Sequence, residues 1–336
     1  MEHEEQGQFR RLDKEDLDLD SVAQFYEKAR SDSLLIENAP LGRIQILGED
    51  RLDLLERLST NTFKHRSPGD YVLTALLEAN GRLIDLLEVF VFDDHLIAAC
   101  SPGRAETVSD WFIRHIFFQD DVSVESLDPW AAALLAYGPN SSELLEAGLG
   151  ARPAIEPSRF TALPGALILP AGLPDLPAYR LFIDNQEIAE HLRSAEQYHV
   201  DAAARNAAEA LRVEAGVPRR GQEIIPGIIP LGAGLTEAIS FTKGCYIGQE
   251  VIARLDSRGI LASELSGVRL SKPAPPGSRL TQAGKEIGTL TSSAYSPANG
   301  WIGLALIKTR RLDRTSGDLA IQGAHLTLEK LPFAIR

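Results

Sequence analysis

The chain is poor in cysteine, with only Cys100 and Cys245 among its 336 residues. Two thiols so far apart in the sequence do not indicate a disulfide framework. They cannot form a cysteine-rich metal site by themselves, and neither the CxxC nor the HExxH spacing occurs. The sequence therefore predicts no metal centre.

Long hydrophobic runs are also missing. No stretch approaches the roughly 18 consecutive apolar residues of a membrane-spanning helix. The longest candidates, WAAALLAYG and LPGALILPAGLP, are short and contain glycine or proline. The N-terminus, MEHEEQGQFRRLDKEDLDLD, is acidic and lacks the apolar centre of a signal peptide. These absences predict a cytoplasmic protein that does not contact a membrane.

Positive charge is scarce: the chain has 34 Lys and Arg residues but 47 Asp and Glu residues, which gives a net charge of −13. Such a surface repels nucleic-acid phosphates at long range and has no broad basic footprint. Direct binding of nucleic acid is therefore not expected. With 44% hydrophobic residues, the chain has the composition of a folded protein, and its length predicts two or three domains.

The pattern of apolar residues predicts an α+β protein. A charged tail leads into a short amphipathic helix, which Asp18 or Asp20 can cap. Residues 42–129 then follow the order strand, helix, three strands, helix, strand, with a hairpin around Ala79-Asn80-Gly81, which favours an antiparallel sheet. A second α+β pattern begins near residue 130. In it, Gly148 is the predicted end of one helix and residues 185–200 read as another.

After Gly259 the pattern of residue types changes. Short alternating runs separated by glycine and proline turns replace helical periodicity as far as the C-terminus. This pattern is typical of a small all-β barrel or sandwich. We therefore predict a domain boundary near residue 260.

Cys245 stands in the stretch FTKGCYIGQEVIARLDSRG, residues 241–259. A thiol becomes a nucleophile or a ligand where a nearby positive charge or a helix N-terminus stabilises the thiolate. Lys243 is two residues away, and a helix is predicted to begin near Gly248. The alternative is a small buried residue in a turn that precedes the helix. The residues by themselves leave both interpretations open.

Two acids are the other candidates. Glu214 ends an alanine-rich helix, where a carboxylate is unfavourable beside the negative end of the helix dipole. It is either a partner for an NH-rich ring such as a pterin or a solvated surface acid. Asp85 lies in an apolar strand, where a buried acid needs a partner. It is a general base, a polariser of a bound amine, or the solvent-facing residue of an alternating strand.

The block Lys243-Gly244-Cys245-Tyr246-x-Gly248-Gln249-Glu250 carries a family resemblance. It resembles the K-G-C-[YF]-x-G-Q-E motif of the YgfZ branch of the folate-binding, glycine-cleavage T-protein superfamily. That branch includes the mitochondrial iron–sulfur assembly factor Iba57. The stretches LRVEAGVPRRGQEI, GRIQILGEDRLDLLERLSTN and KEIGTLTSSAYSP are similar to other parts of the family. The resemblance covers roughly residues 35–335.

The resemblance implies a three-domain ring of the T-protein type. Two interleaved α+β domains would be followed by a C-terminal antiparallel β-barrel. The implied segments are an acidic tail and helix at 1–33, a discontinuous folate-binding domain at 34–48 plus 130–259, a second α+β domain at 49–129, and the barrel at 260–336.

The resemblance also implies a cofactor, tetrahydrofolate or a folate derivative, bound inside the ring. Glu214 falls on the pterin-binding acid of the superfamily, and Cys245 falls on the thiol of the family. The implied catalytic residues are Cys245 and Asp85. The implied cofactor-binding residues are Glu214, Asp85, Asn61, Tyr246, Gln249, Arg254 and Lys243.

One departure from the superfamily separates two functions. Aminomethyltransferases of the superfamily have a stretch that resembles GG-x-x-D-D after the first hairpin. The matching stretch here, NGRLIDLL, keeps the first acid as Asp85, but Arg82 replaces the second glycine and Leu86 replaces the second acid. The resemblance thus implies a tetrahydrofolate-binding accessory factor in iron–sulfur cluster assembly or repair. Its partners would be iron–sulfur assembly proteins or client enzymes, including tRNA-modifying ones. The alternative is a tetrahydrofolate-dependent aminomethyltransferase or demethylase.

Overall fold

The computed structural model describes residues 17–171, 173–259, 261–313 and 317–334. The predicted acidic tail at 1–16 lies outside the described residues. The α-helices of the described chain are α1 Leu19–Ser31, α2 Arg51–Leu58, α3 Ala105–Ile113, α4 Ser141–Leu149, α5 Gln186–Arg193, α6 Ala202–Ala215 and α7 Gln249–Arg258. The strands are β1 Leu34–Asn38, β2 Gly42–Leu47, β3 Tyr71–Leu77, β4 Leu83–Val91, β5 His95–Cys100, β6 Ser123–Leu127, β7 Ala132–Tyr137, β8 Thr161–Leu163, β9 Ala166–Pro170, β10 Ala178–Ile183, β11 Tyr198–His199, β12 Ser263–Leu270, β13 Arg279–Gln282, β14 Lys285–Ser296, β15 Gly300–Lys308, β16 Leu319–Ile321 and β17 Ala324–Glu329.

The strands form two open sheets and one closed barrel. The first sheet has the order β11-β1-β7-β10-β9-β8, and the second has the order β3-β4-β5-β2-β6. The barrel closes in the order β12-β15-β14-β13-β16-β17, and all of its pairs are antiparallel. The predicted α+β class with a C-terminal antiparallel barrel is therefore confirmed.

The predicted segment 34–48 is divided between the two open sheets. Strand β1 lies in the first sheet, but β2 pairs with β5 and β6 in the second. The chain therefore crosses between the sheets at residues 39–41, not at residue 48. The reason is that Ile44 and Ile46 point inward and complete the core of the second sheet. The other predicted segment boundaries stay predictions.

Three helix ends can be compared with the sequence. Asp18 caps α1, as one of the two predicted caps, by accepting a hydrogen bond from the Asp20 amide at 3.1 Å. Helix α4 continues past Gly148 and is capped by Gly150, whose φ of 76° suits a residue without a side chain. The helix predicted over 185–200 ends at Arg193, because Tyr198–His199 pairs with β1 as a strand.

Helix α6 occupies the junction of the first sheet and the barrel. Its alanines, including Ala204 and Ala207, pack in one cluster with Tyr26 of α1 and Ala294 of β14. Small side chains allow the helix to approach both neighbours closely, and alanine favours the helix itself. Glu214, in the last turn of α6, is thereby placed where α1 and the barrel meet.

No helix among the described residues is both long enough and apolar enough to cross a membrane.

Candidate functional site

Cys245 lies on an exposed loop immediately before α7. The thiol is exposed, and α7 begins at Gln249 after Gly248, as the sequence predicted. In the loop tip, residues 241–246, two side chains point inward and the other residues are exposed. Phe241 and Cys245 face solvent, whereas the side chains of Lys243 and Tyr246 are buried. The prediction of a small buried cysteine is wrong, because the inward positions of the loop tip are taken by its neighbours.

Lys243 reaches from the loop tip to the end of α2. Its Nζ donates to the carbonyls of Ser59 at 2.8 Å and Asn61 at 2.6 Å, and it lies 3.8 Å from Glu56 Oε2. It also lies 5.5 Å from the centre of the Tyr246 ring. Burial lowers the pKa of Lys243 to about 8, against the opposing effect of Glu56. The ammonium group is therefore engaged by the protein itself.

Residues 59–62 form an edge on which the segment before the loop tip is docked. The Thr60 hydroxyl donates to the Ala238 carbonyl at 2.6 Å, and the Ser240 amide donates to the Thr60 carbonyl at 2.9 Å. Asn61 Nδ2 donates to the carbonyls of Leu73 and Glu237, both at 2.9 Å. Asn61, like Lys243, thus holds neighbouring segments together, and the ligand-binding role implied for it stays a prediction.

Three other predicted residues belong to the same loop and helix. Tyr246 is buried among apolar residues, and this burial raises its pKa to about 12. Gln249 is half-buried in the first turn of α7. Arg254 is exposed, and its guanidinium donates to Glu250 one turn earlier at 2.6 Å. Arg254 therefore lies on the outer face of α7.

The predicted hairpin at residues 79–81 packs against the start of α7. A Cβ atom on Gly81 would lie 2.9 Å from the Val251 side chain, and one on Gly248 would lie 2.6 Å from the Glu78 carbonyl. Both glycines have φ near +80°, at 76° and 82°. This close approach joins the hairpin that leads into β4 to the loop that carries Cys245.

Asp85, on β4, is buried and fully engaged. It is 2% exposed, so the interpretation as a solvent-facing acid is wrong. Its Oδ1 accepts from the Ser101 hydroxyl at 2.6 Å and the Leu86 amide at 2.8 Å. Its Oδ2 accepts from the Ser101 amide at 3.3 Å and from Arg104 Nε at 3.2 Å. Both oxygens of this carboxylate already have protein partners.

An ionic cluster that sequence reasoning missed connects β4 to the first sheet and to the loop after α6. Glu88 Oε2 lies 2.7 Å from Arg180 of β10, and Glu88 Oε1 lies 3.2 Å from Arg220. Burial alone would raise the pKa of Glu88, but the two arginines lower it. Tyr71 donates to Glu88 at 3.2 Å and accepts from Arg180 at 3.0 Å. The one signal in the sequence is that Glu88, three residues after Asp85, falls on the opposite face of an alternating strand, so both acids cannot face solvent.

Glu214 is buried, so the interpretation as a solvated acid is wrong. It is 5% exposed, and its Oε2 accepts from the Tyr26 hydroxyl at 2.9 Å. Its Oε1 accepts from Asn299 Nδ2 at 3.0 Å and from the Ser296 hydroxyl. The carboxylate thus joins α1, α6 and the barrel. These hydrogen bonds explain how a carboxylate is accommodated at the C-terminal end of α6, where the helix dipole disfavours it.

A cavity of about 340 Å³ lies beside Glu214. Leu176, Leu211 and Phe333 supply apolar walls, and Arg30 supplies a positive charge. Ligand pockets typically span ~300–1,000 Å³ and combine apolar walls with a few polar groups. Its volume lies at the lower end of that range, and Asp175 and Glu214 add acidic groups to the lining.

The predicted residues thus fall into three places. Lys243, Asn61 and Tyr246 meet below Cys245, and Asp85 belongs to the buried ionic contacts of β4. Glu214 has its partners at the junction of α1 and the barrel. Within the described ranges, no group of three or more His, Cys, Asp or Glu residues could hold a metal ion.

Comparison with known proteins gives two family matches. Residues 3–161 match the GCVT N-terminal domain, and residues 265–334 match the CAF17 C-terminal beta-barrel domain.

Curated relatives match most of the chain. A chloroplastic protein of Arabidopsis thaliana with a provisional transferase name is 27% identical over 82% of this chain, and the match spans 65% of that protein's length. The aminomethyltransferase of Lysinibacillus sphaericus is 26% identical over 86% of this chain and 82% of its own length. That of Bacillus subtilis is 25% identical over 85% of this chain and 83% of its own length.

A solved structure shares the fold. The crystal structure of the glycine cleavage system aminomethyltransferase T from Bartonella henselae has a TM-score of 0.77 at 19% identity. The match covers 93% of this chain and 89% of that chain.

Two open sheets followed by a closed barrel define a protein of the T-protein fold class. The GCVT and CAF17 domains occur together in this order, and the K-G-C-Y-x-G-Q-E block lies between the two matched segments. The predicted resemblance to the YgfZ/Iba57 branch of the glycine-cleavage T-protein superfamily is therefore confirmed.

Proposed function

We propose that this chain binds tetrahydrofolate and acts as an accessory factor in the assembly or repair of iron–sulfur clusters. Its clients would include iron–sulfur enzymes that modify tRNA. The observation that carries the proposal is the contrast between Cys245 and Asp85. The thiol is exposed on an anchored loop, whereas both oxygens of the acid already accept hydrogen bonds.

This contrast favours presentation of a thiol to a partner. Thiolates are the usual protein ligands of iron–sulfur clusters, and reactive thiols are accessible ones. In this proposal the cluster, or the protein that carries it, is the substrate of the exposed Cys245. A general base, by contrast, must reach the proton that it removes. The 2% exposure of Asp85 and its four hydrogen-bonding contacts count against that role.

The cavity beside Glu214 supports a folate ligand. Its apolar walls suit a flat heterocycle, and Arg30 suits the anionic glutamate tail. Glu214 accepts three side-chain hydrogen bonds, which leaves one of about four lone-pair sites for a ring N–H. The residues therefore fit the ligand through a single hydrogen bond that this acid would accept. Tetrahydrofolate would supply one-carbon carrier chemistry when bound.

The second candidate function is a tetrahydrofolate-dependent aminomethyltransferase or demethylase. The aminomethyltransferase names of several relatives favour it. The engaged Asp85, and Leu86 in place of a second acid, count against it. A tetrahydrofolate-dependent turnover that Asp85→Asn removes from an otherwise folded protein would establish this second function instead.

The thiol is tested by complementation in a strain that lacks this chain. We expect Cys245→Ala to abolish rescue of iron–sulfur enzyme activity while its affinity for tetrahydrofolate stays unchanged. Cys100→Ala is the matched control, because Cys100 is buried. Full rescue by Cys245→Ala would overturn the proposed role of the thiol.

The folate site is tested by calorimetric titration with tetrahydrofolate. We expect Glu214→Gln and Arg30→Met each to weaken binding about tenfold or more, because each removes a polar contact at the cavity. Arg205→Met is the control, since Arg205 is exposed elsewhere on α6. Absence of binding by the wild-type protein would remove the basis of both candidate functions.

A further inference from the structure

The loop tip is held from the inside by one charged side chain. Of the six residues 241–246, Lys243 and Tyr246 point into the protein, on either side of the exposed Gly244 and Cys245. The side chain of Lys243 is only 1% exposed. Phe241, which precedes it, is 46% exposed. The outward residues therefore owe their position to the inward ones.

We infer that Lys243 is a positioning residue for Cys245, and that it contacts no ligand. Its ammonium group fastens the loop tip to the C-terminal end of α2 and so sets where the thiol projects. What the thiol then serves rests on the proposed function, whereas the positioning itself does not. Lys243 thereby gains a role different from the cofactor-binding one that the family resemblance implies.

The end of α2 is suited to a buried ammonium group. The Ser59 and Asn61 carbonyls lie at the helix C-terminus, where the helix dipole is negative. Glu56 adds a carboxylate at 3.8 Å. A lysine brings three donors on a compact point charge, whereas the wider arginine fork needs a flat partner. A charge buried this deeply is retained only where it is paired.

Glu56 also shapes the site that receives the lysine. Its Oε2 accepts hydrogen bonds from the amides of Phe63 at 2.6 Å and Lys64 at 3.3 Å, and from the Thr62 hydroxyl at 3.2 Å. These bonds hold the turn after α2 in the form that directs the Ser59 and Asn61 carbonyls at Lys243. The thiol is thus connected to α2 through two successive sets of polar contacts.

The experiment compares Lys243→Met with wild type, each carrying a nitroxide spin label on Cys245 in the Cys100→Ala background. Methionine keeps the unbranched length but has no charge and no N–H donor. We expect the rotational correlation time of the label to fall at least threefold, while the thermal midpoint stays close to that of wild type. Rescue of iron–sulfur enzyme activity by Lys243→Met should fall in parallel.

Lys64→Met is the matched control, because Lys64 is exposed in the turn that follows α2. It should leave both the label and the rescue unchanged. If Lys243→Met does not fold, Lys243→Gln, which is neutral and polar, takes its place. An unchanged spectrum in the folded variant would overturn the inference. A mobile label together with full rescue by Cys245→Ala would leave the positioning role intact and refute the proposed function alone.

Discussion

The Nη1 atom of Arg220 lies 3.5 Å from the Oδ1 atom of Asp85. The guanidinium group also lies 3.2 Å from Glu88, three residues further along β4. The loop that follows α6 is therefore fastened to the second sheet through the acid that the family resemblance makes catalytic. In this chain, the contacts of Asp85 are those of a residue that joins elements of the fold.

Asp85→Asn should lower the free energy of unfolding by about 3 kcal/mol, because it removes the buried negative charge that pairs with Arg104 and with Arg220. Urea unfolding followed by circular dichroism measures the change. Asp93→Asn, at an exposed turn of the same sheet, should change it by less than about 0.5 kcal/mol. Equal stability of the two variants would contradict the structural role of Asp85.

Tyr26→Phe should destabilise the protein by about 1.5 kcal/mol, because it removes a buried hydrogen bond to the charged Glu214. Burial and Glu214 both raise the pKa of Tyr26, as direct contact with a carboxylate requires. A double-mutant cycle with Glu214→Gln, measured by chemical unfolding, should give a coupling energy of at least about 0.5 kcal/mol. Additive effects would show that the two side chains do not interact.

The depressed pKa of Lys243 predicts a gain in stability at alkaline pH. Burial lowers the folded-state pKa to about 8 from 10.5. Between these values the unfolded chain binds more protons than the folded one, so the free energy of unfolding rises with pH. The slope from this group is at most about 1.4 kcal/mol per pH unit. Wild type should therefore gain stability relative to Lys243→Met between pH 8 and 10.5, as urea unfolding across that range will show. A constant difference would contradict the prediction.

Gly248→Ala should destabilise the protein more than Gly227→Ala does. Both glycines have positive φ, at 82° and 85°, so alanine is strained at either position. Only at Gly248 does the added Cβ also meet backbone, 2.6 Å from the Glu78 carbonyl, whereas nothing lies within 4 Å at Gly227. The excess should be about 1 kcal/mol or more, measured as a difference in thermal unfolding. Equal losses would mean that the hairpin does not pack on α7 as described.

Local features of the site were predictable where neighbouring residues determine them. The start of α7 after Gly248 and the end of α6 at Gly216 follow from glycine in a left-handed conformation. The hairpin at Asn80-Gly81 follows from its turn residues. The end of α4 was missed, because Gly148 and Gly150 are equally good local stops and only the left-handed φ of 76° at Gly150 in the folded chain distinguishes them.

The partners of the candidate residues were not predictable, because each comes from a distant part of the chain. The sequence left Asp85 open between a buried and an exposed position, because its partner Arg220 comes from a distant part of the chain. The burial of Glu214 was not predictable either, because its partners Tyr26 and Asn299 lie far from it on either side in the sequence.

The sequence by itself determined the α+β class, the C-terminal barrel and the family, since periodicity, turn residues and a contiguous motif are local properties of the chain. The tertiary structure alone decided that Cys245 is outward and Lys243 inward, that Asp85 is engaged, and that the chain crosses between the sheets at residues 39–41. The physical reason is that burial and charge pairing depend on which distant segments pack together. A linear pattern of residue types does not record that information.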